Sequence, residues 1–140
     1  MVDLLKLTEQ LKVEESLRLK PYVDTVGKIT IGYGRNLTDD GISEVEAVDF
    51  LRTEIDEVLQ ELPPKISFWN NLNEVRQRVL ADMAFNMGVP TLLTFKRMLA
   101  YMKINEFDLA SNEMENSLWA TQVYGRAVKL AQMMRTGKDL

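Results

Sequence analysis

The stretch from Pro21 to Asn36 constrains this chain more than any other, because it interrupts a sequence whose apolar residues otherwise recur at helical spacing. Pro21 cannot extend a helix arriving from the N-terminal side: it has no amide hydrogen and its ring clashes with the preceding turn. Gly27, Gly32 and Gly34 then punctuate the short β-branched run Lys28-Ile29-Thr30-Ile31, so a small hairpin or meander is expected over residues 21–36. Helical patterns flank it. Leu4, Leu7 and Leu11 mark an amphipathic helix over 3–15, and Asn36 to Gly41 reads as a turn. Ser43 and Glu46 have the spacing of a capping box, opening a helix that the stripe Val45, Val48, Leu51, Ile55, Val58, Leu62 carries to Pro63-Pro64. Val75, Val79, Met83 and Met87 predict another helix, stopped at Gly88 and Pro90, with more over 91–103, 105–116 and 124–135. The fold class expected is α+β, mostly helical, as a single domain over 1–140. It has a small β-containing lobe (14–42), a connecting helix (43–62) and a larger helical lobe (1–13 with 63–140).

Composition removes whole classes of chemistry. The 140 residues include no Cys and no His, which excludes disulfides, thiol nucleophiles, Ser-His triads and most zinc sites. Acid–base work must fall to Asp, Glu, Lys or Tyr, and neither a metal nor another cofactor is expected. A net charge of −4 speaks against nucleic acid as a partner. No run approaches the ~20 apolar residues of a membrane span. Asp3, Lys6 and Glu9 among the first leucines do not form a secretory signal.

Three residues in the interrupted segment have functional groups suited to one reaction. Glu15 closes the first helix, where the helix C-terminus and the neighbouring Glu14 both disfavour an ionised carboxylate, as a general acid requires. Asp24 lies in the turn Val23-Asp24-Thr25-Val26-Gly27, and Thr30 in the short strand. Two acids on opposite sides of one bond can cleave a sugar–sugar linkage. Each residue also has a plainer reading. Glu15 is one of 21 acidic residues, Asp24 a turn residue bonding its own backbone, and Thr30 a β-branched strand residue.

The segment from Glu15 to Arg35 resembles the phage-type lysozymes of glycoside hydrolase family 24, known from the T-even bacteriophages. The shared pattern is Glu, Asp nine residues on and Thr six further. Around it, Leu17, Arg18, Leu19, Lys20, Tyr22, Asp24, Thr25, Gly27, Thr30, Ile31, Gly32 and Gly34 match. Met83-Ala84-Phe85-Asn86-Met87-Gly88, Ser117-Leu118-Trp119, Gly125-Arg126-Ala127 and Arg135-Thr136-Gly137 extend the resemblance over nearly the whole chain.

The resemblance implies a two-lobed lysozyme-like fold and an endolysin cutting the β-1,4 bond between N-acetylmuramic acid and N-acetylglucosamine in bacterial peptidoglycan. Glu15 would be the general acid, with Asp24 and Thr30 activating water on the opposite face with inversion, which calls for carboxyls ~6.5–9.5 Å apart. Asn36, Phe85, Asn86 and Arg126 would contact substrate, Arg126 also pairing with Glu15 or Glu14, while Trp119 reads as core. Such an enzyme is expected to be a monomer held in the host bacterial cytoplasm until a holin opens the way to the wall, and not to insert in membranes itself. A lytic transglycosylase and a wall-binding module without catalysis remain alternatives. Arg35 stands where the family commonly has a His paired with an acid, and an Arg35–Glu54 pair is expected in its place. Ser16 replaces the usual Gly after the catalytic Glu, and the turn after Asn36 is shortened.

Overall fold

In a computed structural model, which describes residues 1–140, the chain leaves its first helix at Glu15 and enters a three-stranded antiparallel sheet. Helix α1 (Leu4–Glu14) is N-capped by Asp3, whose side chain accepts from the Lys6 amide at 3.0 Å. Strand β1 (Arg18–Val23) pairs with β2 (Ile29–Gly32), and β2 with β3 (Arg35–Asn36), in the order β1-β2-β3. Pro21 is accommodated because β1 is an edge strand whose register shifts between Arg18 and Tyr22, where no ladder bond from its nitrogen is needed. The meander expected over 21–36 is thus present and begins three residues earlier.

The one-turn helix α2 (Leu37–Asp40) follows, and then α3 (Glu44–Glu61). The capping box at the start of α3 forms as expected: the Glu46 amide donates to the Ser43 hydroxyl at 3.1 Å, and the Ser43 amide donates to the Glu46 carboxylate at 2.9 Å. Beyond two short 3-10 turns, Pro63–Lys65 and Trp69–Asn71, come α4 (Glu74–Met87), α5 (Val89–Leu92), α6 (Lys96–Lys103), α7 (Phe107–Glu115), α8 (Leu118–Gln122) and α9 (Tyr124–Thr136). The helix expected over 91–103 is two helices. The backbone tightens between them, with Phe95 N–H donating to Leu92 C=O and the Thr94 hydroxyl to Thr91 C=O. The next helix starts at 107 because Asn105 adopts a left-handed φ of 61°, which Asn tolerates and a helix interior does not. The α+β, mostly helical class holds.

The chain divides into two compact units, residues 1–50 and 51–140, and they are built differently. In the first, Thr30 is the one buried side chain, so this unit rests on turns, ladder bonds and ion pairs. In the second, α4 lays Val79, Leu80, Met83 and Ala84 into an apolar core shared with α6, α7, α8 and α9. Met83, Met98, Met102, Met114, Met133 and Met134 fill much of it, thioether chains suited to irregular gaps between short helices. Buried Ser111 is satisfied by donating to Ala131 C=O at 2.7 Å. Arg76 closes the end of α9: its Nε donates to Met134 C=O (2.8 Å) and its Nη2 to Arg135 C=O (3.1 Å), with the guanidinium 3.5 Å above the Phe107 ring. A cation on the last carbonyls of a helix is favourable against its dipole. Gly137 caps the same end at φ 69°, and a Cβ there would stand 2.8 Å from Asn73 Nδ2 and 2.9 Å from Arg76 Nη1.

One expected pair is corrected. Arg35 finds its carboxylate in Glu46, with Nη1 2.8 Å from Oε1, instead of in Glu54. The capping box decides this. It holds Glu46 Oε1 at the start of α3, and Arg35 Nη1 also donates to Gly41 C=O at 3.2 Å, in the turn just before that helix. Glu54 lies eight residues on, about 12 Å along the helix axis. The hydrogen bond from Arg35, followed by those from Ser43, lowers the Glu46 pKa to about 2.

Two outcomes follow for stability. Gly137→Ala should lower the unfolding free energy by about 1–3 kcal/mol through backbone strain and the crowded Arg76 clamp, read from urea denaturation. Glu46 has a depressed folded-state pKa, so its contribution is present above the unfolded value of about 4.3 and is lost as pH falls toward about 2. The melting temperatures of wild type and Glu46→Gln should therefore converge as pH is lowered from about 5. Curves that stay parallel would remove the Arg35–Glu46–Ser43 network as the cause.

Candidate functional site

Glu15, Asp24, Thr30 and Asn36 all lie in the first unit, on the frame of the meander. Glu15 is the residue at which α1 ends. Its amide still donates to Leu11 C=O at 2.8 Å, while its own backbone is extended (φ −99°, ψ 139°). Its carboxylate is exposed, with no ion pair or hydrogen bond to another protein group. A Cβ on Gly34 would lie 3.5 Å from Glu15 Oε2, so the acid rests over the bare backbone of a residue at φ 90°. In the sequence Gly34 is one of the glycines that punctuate the meander; its positive φ and closeness to Glu15 mark it as part of the candidate site.

Asp24 has the turn-closing role of its plainer sequence reading. Oδ1 accepts from the Val26 amide (2.9 Å) and the Lys28 amide (2.8 Å), closing the β1–β2 turn as an Asx turn does. Oδ2 has no protein donor. One oxygen therefore fixes the carboxylate and the other is open for chemistry. Thr30 sits in the middle strand between Tyr22 and Asn36, 4 % exposed, and its hydroxyl donates to Lys28 C=O at 3.0 Å. With its proton committed, Thr30 Oγ1 can act toward a water only as acceptor.

Asn36 is occupied locally. As the N-cap of α2 its Oδ1 accepts from the Asp39 amide at 3.0 Å and its Nδ2 donates to Asp39 Oδ2 at 2.9 Å. Asp39 also takes Lys28 Nζ at 3.0 Å, and Thr38 Oγ1 accepts from the Ile29 amide at 2.8 Å. The segment after Asn36 is thereby tied back to β2, and the amide of Asn36 serves that tie.

Phe85, Asn86 and Arg126 belong to the second unit. Phe85 is outside the core, 40 % exposed, and lines a groove of about 560 Å³ with Ile55, Leu59, Trp69, Asp82 and Arg126. Asn86 Oδ1 accepts from Trp119 Nε1 at 2.7 Å. Trp119 is core as expected, 6 % exposed and edge-on to Phe95, so it anchors Asn86 through Oδ1 while Asn86 itself stays exposed. Arg126 has an ion pair within the second unit, with Asp82 (Nε to Oδ1, 2.7 Å); the pair expected with Glu15 or Glu14 would join the two units. Asp82 was missed in the sequence because an acid at that point of a helix face reads as ordinary surface charge.

No group of three or more His, Cys, Asp or Glu side chains is arranged to hold a metal ion. The first unit offers two carboxylates and a hydroxyl, and the second an amide and a guanidinium.

A family model described as phage lysozyme matches residues 12–136. Similar proteins include probable T4-type lysozyme 2 of Dictyostelium discoideum, 29% identical, with 94% of each chain covered. The pre-baseplate central spike protein Gp5 of Enterobacteria phage T4 is 28% identical over 95% of this chain, which spans 28% of that protein. The endolysin of Acyrthosiphon pisum secondary endosymbiont phage 1 is 32% identical, covering 74% of this chain and 70% of that one. The matched span contains Glu15, Asp24, Thr30, Phe85, Asn86 and Arg126, and the chain belongs to the phage lysozyme family.

Proposed function

We propose that this protein is an endolysin, a muramidase that hydrolyses the β-1,4 bond between N-acetylmuramic acid and N-acetylglucosamine in bacterial peptidoglycan and so lyses the host cell. The main support is the family match over residues 12–136, a span that contains Glu15, Asp24 and Thr30. The free oxygens described above supply matching chemistry. Glu15, protonated, gives its proton to the glycosidic oxygen as the bond to the anomeric carbon breaks. A water on the other face donates one hydrogen to Asp24 Oδ2 and the other to Thr30 Oγ1, which aims an oxygen lone pair at that carbon. Asp24 takes the proton as the new C–O bond forms, the configuration inverts, and exchange with solvent resets both acids. Exposed Phe85 offers an apolar face to a sugar ring, and Asn86 and Arg126 offer donors to its polar substituents. On this reading the protein acts as a monomer, waits in the host cytoplasm and reaches the wall through a holin. No helix is long and apolar enough to cross a membrane.

The test is turbidity loss of chloroform-treated Gram-negative cells, with mass spectrometry of the products. Wild type should release fragments with reducing muramic-acid ends, and Glu15→Gln should lose at least about 100-fold in rate. Anhydro-muramic ends would instead establish a transglycosylase, and wall binding without cleavage a non-catalytic module. Initial α-anomers by NMR would establish inversion. Gly34→Ala, which strains the backbone at φ 90° and sets a methyl against Glu15, should cost about 1–3 kcal/mol of stability and about tenfold in kcat.

A further inference from the structure

Arg126 occupies a place that ordinary helix chemistry disfavours. It is the third residue of α9, a helix whose N-cap, Val123, has no side-chain cap and whose first turn holds no acid. The N-terminus of a helix carries partial positive charge, so a guanidinium there is repelled unless a counter-charge is supplied. Asp82 on α4 supplies it, 44 residues earlier in sequence, through a single charge-assisted bond from Arg126 Nε of 2.7 Å. Asp82 has no rival cation on its own helix. Arg78, one turn before it, is already taken by Glu74 (2.8 Å) and Asp139 (2.8 Å). Within the second unit only Nε of Arg126 is engaged, and the four N–H bonds on its two Nη atoms have no partner there. Both side chains line the 560 Å³ groove with Phe85, which lies three residues beyond Asp82 on the same face of α4.

We infer that Asp82 is a positioning residue: it holds Arg126 by Nε so that the unpartnered Nη edge is presented to the glycan in a fixed orientation. A pair of which 39 % and 38 % of the side chains remain exposed adds little to stability. Its effect is to reduce the conformations of a long, flexible side chain before substrate arrives. The inference rests on the muramidase reading for its substrate, but the orientation of Arg126 is testable without it.

The experiment uses the full chain with soluble peptidoglycan glycan strands and compares wild type, Asp82→Ala, Asp82→Asn, Arg126→Ala and the double alanine variant. Asp82→Ala should raise KM about tenfold with kcat changed less than about twofold and the melting temperature unmoved. Asp82→Asn, whose Oδ1 still accepts from Nε, should recover most of the loss. The double variant should be no worse than Arg126→Ala alone. In parallel, the Arg126 Nε–H proton should exchange slowly with solvent in wild type and rapidly in Asp82→Ala. An unchanged KM in Asp82→Ala, additive losses in the double variant, or equal Nε–H exchange rates would each overturn the inference. A wild type that cleaves no glycan would overturn the muramidase reading, while the exchange rates would still decide whether Asp82 holds Arg126.

Discussion

The first unit depends on a carboxylate that uses one oxygen for structure and keeps the other free. Asp24 Oδ1 accepts two amide hydrogens, from Val26 and Lys28, and so closes the turn from which β2 starts. A unit with a single buried side chain has no apolar core to define its shape, and these bonds do that work together with the Lys28–Asp39 and Arg35–Glu46 ion pairs. The same turn determines where Thr30 lies relative to Asp24, since the Thr30 hydroxyl and the Asp24 carboxylate both bond the backbone of Lys28. Local hydrogen bonding therefore orients the groups to which water activation is assigned, and leaves Asp24 Oδ2 free.

The second unit follows the opposite logic. Helix α4 is held by burial of Val79, Leu80, Met83 and Ala84, and this packing turns Asp82, Phe85 and Asn86 outward. Residues 82–86 alternate between core and surface because a helix turns about 100° per residue. The side chains expected to meet substrate are thus on a rigid element, with Trp119 as a buried anchor for Asn86. Methionines keep the interior dense despite the short lengths of α5 to α8.

Arg35 shows how one local network redirects another. The guanidinium joins a carboxylate already committed to capping α3: Arg35 Nη1, on β3, donates both to Gly41 C=O and to the Glu46 oxygen that accepts from the Ser43 amide. Arg is charged throughout the accessible pH range, so acid loss of this link is governed by Glu46 alone.

Much of this was legible in the sequence. Pro21, the three glycines of the meander and the Ser43–Glu46 box act through backbone sterics and bonds over a few residues, so they announce the sheet and the start of α3 without tertiary information. The spacing of Glu15, Asp24 and Thr30 was equally visible, because all three sit on one continuous local frame. Tertiary structure alone decided the partners of side chains distant in sequence or free to choose among several. It gave Arg35 to Glu46 and not Glu54, gave Arg126 to Asp82, bonded the amide of Asn36 to Asp39, and placed Gly34 beneath Glu15. Charged side chains are long, and many acids lie within reach along a helical sequence. Only the folded backbone selects among them, by fixing which donor and acceptor come within hydrogen-bond distance.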